Sequence, residues 1–97
     1  MPEQLLSLVI PVFNEEEVLE ESFRRMDAAM RATGHPYEII YVNDGSRDNT
    51  MEILRRIAAE APQVRVLSFS RNFGHQLAVT CGMDAARGSA LIIIDVD

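Results

Sequence analysis

The chain predicts a three-layer α/β fold, β-α-β-α-β-α-β around a parallel sheet. Three observations predict it. Apolar, β-rich runs alternate with stretches of helical period; the connections are short; and Gly, Pro, Asn and Asp fall at the junctions. At 97 residues there is room for one domain at most. A hydrophobic fraction of 47% and a charged fraction of 25% are those of an ordinary globular chain and argue against disorder.

Leu5 to Phe13 is apolar except for Ser7 and reads as a strand buried on both faces. Asn14, with Glu17 three residues on, has the form of a capping box opening the first helix. That helix carries Val18, Leu19, Phe23, Met26 and Met30 on one broad face, and Gly34 and Pro36 stop it. Tyr37 to Val42 is the second strand. Asn43-Asp44-Gly45-Ser46 is turn chemistry, and Ser46 or Asp48 is placed to cap a second helix running to about Glu60. Its buried stripe is Ile53, Leu54, Ile57 and Ala61, and Pro62 ends it. Val64 to Phe69 is a third strand, His75 to Arg87 a third helix of small and apolar residues, and Ala90 to Ile94 a fourth, wholly apolar strand.

Composition excludes several function classes. The formal charge is −6, and all nine basic residues are arginine. Such a chain is a poor partner for nucleic acid, although a divalent cation can bridge its acids to a diphosphate. The acidic excess lies mainly between Glu15 and Asp27, as expected of a solvated helix face. A single cysteine, Cys81, excludes an internal disulfide and a cysteine-cluster metal site; within a helix of small residues it reads as a buried, inert thiol. No apolar run approaches the roughly 20 residues of a membrane span, and Met1 to Gln4 lacks the basic start of a signal peptide. The expected location is cytoplasmic.

In open parallel sheets, ligands sit beyond the carboxyl ends of the strands. Every strand here ends in polar residues: Asn14-Glu15, Asn43-Asp44, Arg71-Asn72, and Asp95 with Asp97. Asp95 and Asp97, one residue apart after an apolar strand, suit a hard cation such as Mg²⁺ or Mn²⁺; the competing role is a turn whose carboxylates bond local backbone. Asp44 has the chemistry to accept from a nucleobase or ribose, beside a Gly45 that permits close approach. Phe13 suits a flat base and Glu15 a ribose hydroxyl, against a simpler arrangement with Phe13 in the core. Arg71, near a helix start, suits phosphate oxygens or a strand-end acid such as Asp95. His75 is taken as a helix-start residue and stays outside the expected site. Neither a G-x-G-x-x-G nor a P-loop sequence occurs.

Together, Pro11-Val12-Phe13-Asn14-Glu15, Asn43-Asp44-Gly45-Ser46, Arg71-Asn72-Phe73-Gly74-His75 and Asp95-Val96-Asp97 resemble the family 2 glycosyltransferases of the GT-A fold. The likeness is strongest to the polyprenol-phosphate branch, which includes dolichyl-phosphate mannose synthase and undecaprenyl-phosphate glycosyltransferases. It covers residues 5 to 97. It implies a Rossmann-like, nucleotide-sugar-binding half of a GT-A domain. Pro11, Phe13 and Glu15 would line the nucleoside pocket, Val42 and Asp44 would hold the base, and Arg71 would join the nucleotide-sugar contacts. Asp95 and Asp97 would bind Mg²⁺ or Mn²⁺ and, through it, the diphosphate. The implied reaction moves a sugar from a UDP- or GDP-sugar to a lipid phosphate with inversion, at the inner face of a membrane. Family members continue past the acidic pair, so the acceptor site and the catalytic residues are expected beyond Asp97. The first residue of the Asn43-Asp44 pair is Asp in many members, which leaves that role to Asp44. Two alternatives compete. One is a non-catalytic nucleotide-binding module. The other is a haloacid dehalogenase-type phosphatase, in which the first Asp of the pair is a nucleophile; there the D-x-D strand normally opens the domain, whereas here three βα units precede it.

Overall fold

The computed structural model describes residues 4–96. Seven elements follow in the expected order: β1 (Leu6–Val12), α1 (Leu19–Ala32), β2 (Tyr37–Asn43), α2 (Thr50–Glu60), β3 (Val64–Ser68), α3 (His75–Ala85) and β4 (Ala90–Ile93). The four strands form one parallel sheet in the order β3-β2-β1-β4. Chain order therefore runs outward from β1 to β3 and then returns to the other side of β1. That reversal makes the β1–β4 seam the topological switch point, where the crossovers diverge and leave a crevice.

Strand alternation sorts the core into two layers. Leu8, Ile10 and Val12 of β1, Ile39 and Tyr41 of β2 and Val64 of β3 face α1 and α2. There they meet Leu19, Met30, Ile53, Leu54, Ile57 and Ala61. Val9, Ile40 and Val42 face the other way and pack with Ala78 of α3. Gly82 lets α3 lie close to the sheet, since a Cβ there would stand 2.3 Å from a Val9 methyl carbon. Among the described residues β4 pairs on one side only, with β1, and Leu91 through Ile93 with the following Ile94 are 37–44% exposed.

Several local expectations change. Asn14 does not cap α1. It adopts φ 53°, its N–H donates to Ser46 Oγ, and its Oδ1 accepts from Arg47 N at 2.8 Å. The chain then makes a turn in which Glu15 O accepts from Val18 N and Leu19 N, and the helix proper starts only at Leu19. Val18, ahead of the first turn, is 41% exposed and is not on the buried face. Ser46 does not cap α2 either, because its hydroxyl holds Asn14. Asp48 does lie at that start: Oδ1 accepts from Thr50 N at 2.9 Å and Oδ2 from Glu16 N at 3.3 Å. Burial pushes the Asp48 carboxyl up, but hydrogen bonds from Thr50 and Glu16 outweigh it and hold it below the usual carboxylate range. Gly34 ends α1 as expected, at φ 75°. Cys81 is half-buried rather than buried, on a helix that covers only one side of the sheet.

Candidate functional site at the carboxyl edge of the sheet

The register aligns the carboxyl ends of β1 and β2, Pro11 opposite Val42 and Val12 opposite Asn43. The ladder continues one step further, with Asp44 N donating to Val12 O at 2.9 Å. Beyond these ends lies a cleft of about 370 Å³ at the β1–β4 switch point. Pro11, Val12, Phe13 and Glu15 line it from β1 and its loop, and Asp44 from β2. Asn72, Gly74 and His75 contribute from the start of α3, Asp95 and Val96 from beyond β4.

Asp44 is the structural centre of this edge. It is only 4% exposed, yet it carries a carboxylate. Oδ1 accepts from Phe73 N at 2.7 Å; Oδ2 accepts from Gly74 N at 3.0 Å and from Asn72 Nδ2 at 3.0 Å. The loop before α3 is thus folded around one side chain. Two backbone N–H groups and one side-chain amide satisfy a buried carboxylate that would otherwise be costly. Gly45, at φ 71°, completes the junction: a Cβ there would fall 2.1 Å from the carbonyl carbon of Arg71. No bulkier residue fits between these two loops.

Asp95 and His75 meet across the cleft, with His75 Nε2 3.0 Å from Asp95 Oδ1. Both side chains are about two-thirds exposed, at 66% and 64%, so this contact leaves Asp95 open to solvent and to a ligand. Phe13 is 41% exposed and is a wall of the cleft rather than part of the core.

The structure brings five expected residues together: Pro11, Phe13, Glu15, Asp44 and Asp95 line one cavity. Val42 is not among them. Its side chain is fully buried against α3 with Val9, Ile40 and Ala78, so it has no surface to offer a base. Arg71 does not pair with Asp95; its guanidinium lies 4.6 Å from the centroid of the Phe73 ring and lines a neighbouring cleft. Asp97 lies outside the described residues. Asn72, a polar strand end in the sequence, lines the cleft with Gly74 and His75, to which the sequence gives no site role. The available signal was position, because they follow the third strand as Asp44 follows the second.

Among the described residues, no three His, Cys, Asp or Glu side chains form a preformed metal cage. The donor chemistry still fits a hard cation. Mg²⁺ is commonly held by one or two carboxylates plus substrate phosphates rather than by an all-protein cage. The exposed carboxylate of Asp95, at a cleft that also holds Glu15 and Asp44, offers oxygen donors of that kind.

A family model described as "Glycosyl transferase family 2" matches residues 7–97. Among curated relatives, an "Uncharacterized glycosyltransferase YkcC" of Bacillus subtilis (strain 168) is 50% identical over 91 residues, which are 94% of this chain and 28% of that protein. An "Undecaprenyl-phosphate 4-deoxy-4-formamido-L-arabinose transferase" of Pseudomonas fluorescens is 43% identical over 98 residues, 99% of this chain and 29% of that protein. The chain thus spans less than a third of the length of these relatives. Among solved structures, a mannosyltransferase from Pyrobaculum calidifontis in complex with GDP-Man and Mn²⁺ superposes with a TM-score of 0.81 at 21% identity, covering 100% of this chain and 28% of that one. At that identity the likeness bears on the fold, which it shares.

Proposed function

The chain belongs to glycosyl transferase family 2, and on that premise we propose that it is the nucleotide-sugar-binding part of a polyprenyl-phosphate sugar transferase. The donor is a UDP- or GDP-linked sugar, the acceptor a lipid phosphate, and transfer proceeds with inversion and with help from Mg²⁺ or Mn²⁺. Family membership removes the phosphatase alternative. The observation that carries the proposal is the convergence of Pro11, Phe13, Glu15, Asp44 and Asp95 on one cleft at the switch point of a parallel sheet.

Each residue then has a task its chemistry suits. Phe13, half-exposed in the cleft wall, would pack its ring against the base. Glu15 takes a ribose hydroxyl. Asp44 fixes the Asn72–Gly74 loop that closes the base end, with both carboxylate oxygens engaged. Asp95, joined by Asp97, would hold the cation. When bound, the metal neutralises the diphosphate of the departing nucleotide. His75 Nε2, 3.0 Å from Asp95 Oδ1, would help to orient the carboxylate toward a cation. A lipid phosphate is already anionic near neutral pH, so its attack needs no strong base from this part of the chain.

The lipid acceptor is supported by the name of the undecaprenyl-phosphate relative. On this reading the whole protein works at the cytoplasmic face of a membrane. No helix among the described residues is long and apolar enough to cross one. Acceptor-binding and catalytic groups are assigned to the remainder of a longer protein. Calorimetry with UDP and with GDP, each with Mn²⁺ or with chelator, tests the proposal. At least one nucleotide should bind more tightly with metal, and Asp95→Ala should remove that increment. Binding that is absent, or equally strong with chelator, would overturn it.

A further inference from the structure

Nine arginines serve this acidic chain, and among the described residues six of them face a carboxylate: Arg24 and Arg25 with Glu21, Arg31 with Asp27, Arg55 with Glu52, Arg56 with Glu20, and Arg65 with Glu38. Among the described residues, Arg47, Arg71 and Arg87 face none. Two of these three line the same cleft.

That cleft, about 330 Å³, lies beside the nucleotide cleft and shares Phe13 and Asn72 with it. The lining differs sharply in charge. The first cavity holds Glu15, Asp44 and Asp95 and no arginine. The second holds Arg47 and Arg71, the polar residues Asn14, Ser46 and Ser70, and no acid. Its walls are also fixed before any ligand arrives. Asn14 and the Ser46–Arg47 turn clamp each other, with Asn14 N donating to Ser46 Oγ at 2.9 Å and Arg47 N donating to Asn14 Oδ1 at 2.8 Å. Asn14 takes φ 53° to make both contacts, an unusual backbone state for a residue other than glycine. The Arg71 guanidinium is steadied over the Phe73 ring, which is itself packed edge-on to Phe69 at 5.6 Å. A stacked, planar guanidinium keeps its edge N–H groups for a ligand.

We infer that this second cleft is an anion site for a phosphoryl group, bound by Arg47 and Arg71. Paired guanidinium groups recognise tetrahedral phosphate oxygens through charge-assisted, bidentate hydrogen bonds. The phosphoryl group has two chemical sources: the nucleotide in the adjoining cleft, or a phosphomonoester on a second molecule. The inference stands apart from the metal-binding role of Asp95, because it uses neither that residue nor a cation.

The test is a titration with inorganic phosphate at constant ionic strength, read from the arginine side-chain Nε–H signals and the Gly45 and Ser46 amides by NMR. The expected result is a saturable shift at Arg47 and Arg71 and none at Arg24 or Arg55. Arg47→Gln and Arg71→Gln should each weaken binding roughly threefold to tenfold, as loss of a charged hydrogen bond in a solvent-exposed setting does. Both side chains are exposed, so the fold should survive; unchanged backbone spectra check this. Phosphate binding abolished by saturating UDP and Mn²⁺ would identify the nucleotide as the source. Phosphate that still binds to the UDP-loaded chain would identify a second molecule. A response that does not saturate, or that persists in the doubly substituted chain, would overturn the inference.

Discussion

Two buried carboxylates bracket strand β2, Glu38 near its start and Asp44 just past its end, and they are used differently. Glu38, Ile40, Val42 and Asp44 alternate along the face that meets α3, with charge outside and aliphatic side chains between. Asp44 receives the start of α3. Glu38 receives its end: Oε2 accepts from Arg87 N at 2.7 Å and from Ser7 Oγ at 2.6 Å, and Ser7 Oγ in turn accepts from Gly88 N at 2.8 Å. The difference is the counter-charge. Glu38 Oε1 lies 2.8 Å from Arg65 Nη1, which also donates to Ala85 O at 2.9 Å, so the amino edge closes as a neutralised clamp. Asp44 is held by neutral donors only and faces a cleft that also contains Glu15 and Asp95. One end of the helix is fastened for stability. The other is fastened so that a negatively charged, loop-lined cavity stays in place.

The helix between the two clamps can be forced off the sheet. Gly82→Leu should have the largest effect, about 3 kcal/mol of destabilisation or more in urea, because the new side chain must displace Val9 and Val42. If the loss is below ~1 kcal/mol, α3 is not seated as described. Breaking the clamps one at a time comes next. Glu38→Ala should cost about 2–3 kcal/mol, since it removes the counter-charge of Arg65 and the acceptor of Arg87 N. It should leave nucleotide affinity of the folded protein within about twofold. Asp44→Ala should cost a similar ~1–3 kcal/mol in unfolding and in addition weaken nucleotide binding about tenfold, a loss worth about 1.4 kcal/mol. Equal effects of both substitutions on binding would erase the distinction between the two edges.

The pH dependence sharpens the same contrast. Burial pushes the Glu38 carboxyl up, but hydrogen bonds from Ser7, Arg87 N and Arg65 more than reverse this, and its pKa lies below the ordinary glutamate value. A carboxyl depressed in the folded state adds stability above its unfolded pKa and loses it as pH falls through the lower folded value. The difference in urea midpoint between the natural chain and Glu38→Gln should therefore be full at neutral pH. It should shrink below about pH 4, near the unfolded glutamate value. A difference that grows on acidification would contradict this. The smallest effect belongs to the opposite face of the strand. Tyr41 is fully buried and its hydroxyl has no hydrogen-bond partner among the described residues; burial pushes its pKa up. Tyr41→Phe removes an unsatisfied group and should be neutral or stabilising by up to ~1 kcal/mol in the same urea assay.

The alternation of elements and the polar strand ends were legible in the sequence because both depend on local pattern. The buried stripe of α2, Ile53, Leu54, Ile57 and Ala61, follows directly from helical period. What escaped depends on contacts between distant residues. Asn14 looks like a helix cap, but its partners are Ser46 and Arg47, more than 30 residues away. Asp44 looks like a free ligand group, but three donors from the next strand's loop already hold it. His75 was assigned to helix initiation, and only the placement of β4 beside β1 brings Asp95 within 3.0 Å of it. Val42, paired with Asp44 by the resemblance, shares its face of the sheet but sits two residues inside the edge, where α3 covers it.

On the proposed reading the carboxyl edge, and not the amino edge, takes a metal-bridged nucleotide. Paramagnetic broadening of amide signals by Mn²⁺ in the presence of UDP or GDP tests it most directly. Signals of Phe13, Asn72, Gly74, His75 and Asp95 should broaden first, while those of Ser7, Glu38, Arg65 and Gly88 stay sharp. Broadening that spreads evenly over both edges, or that begins around Glu38, would contradict the account.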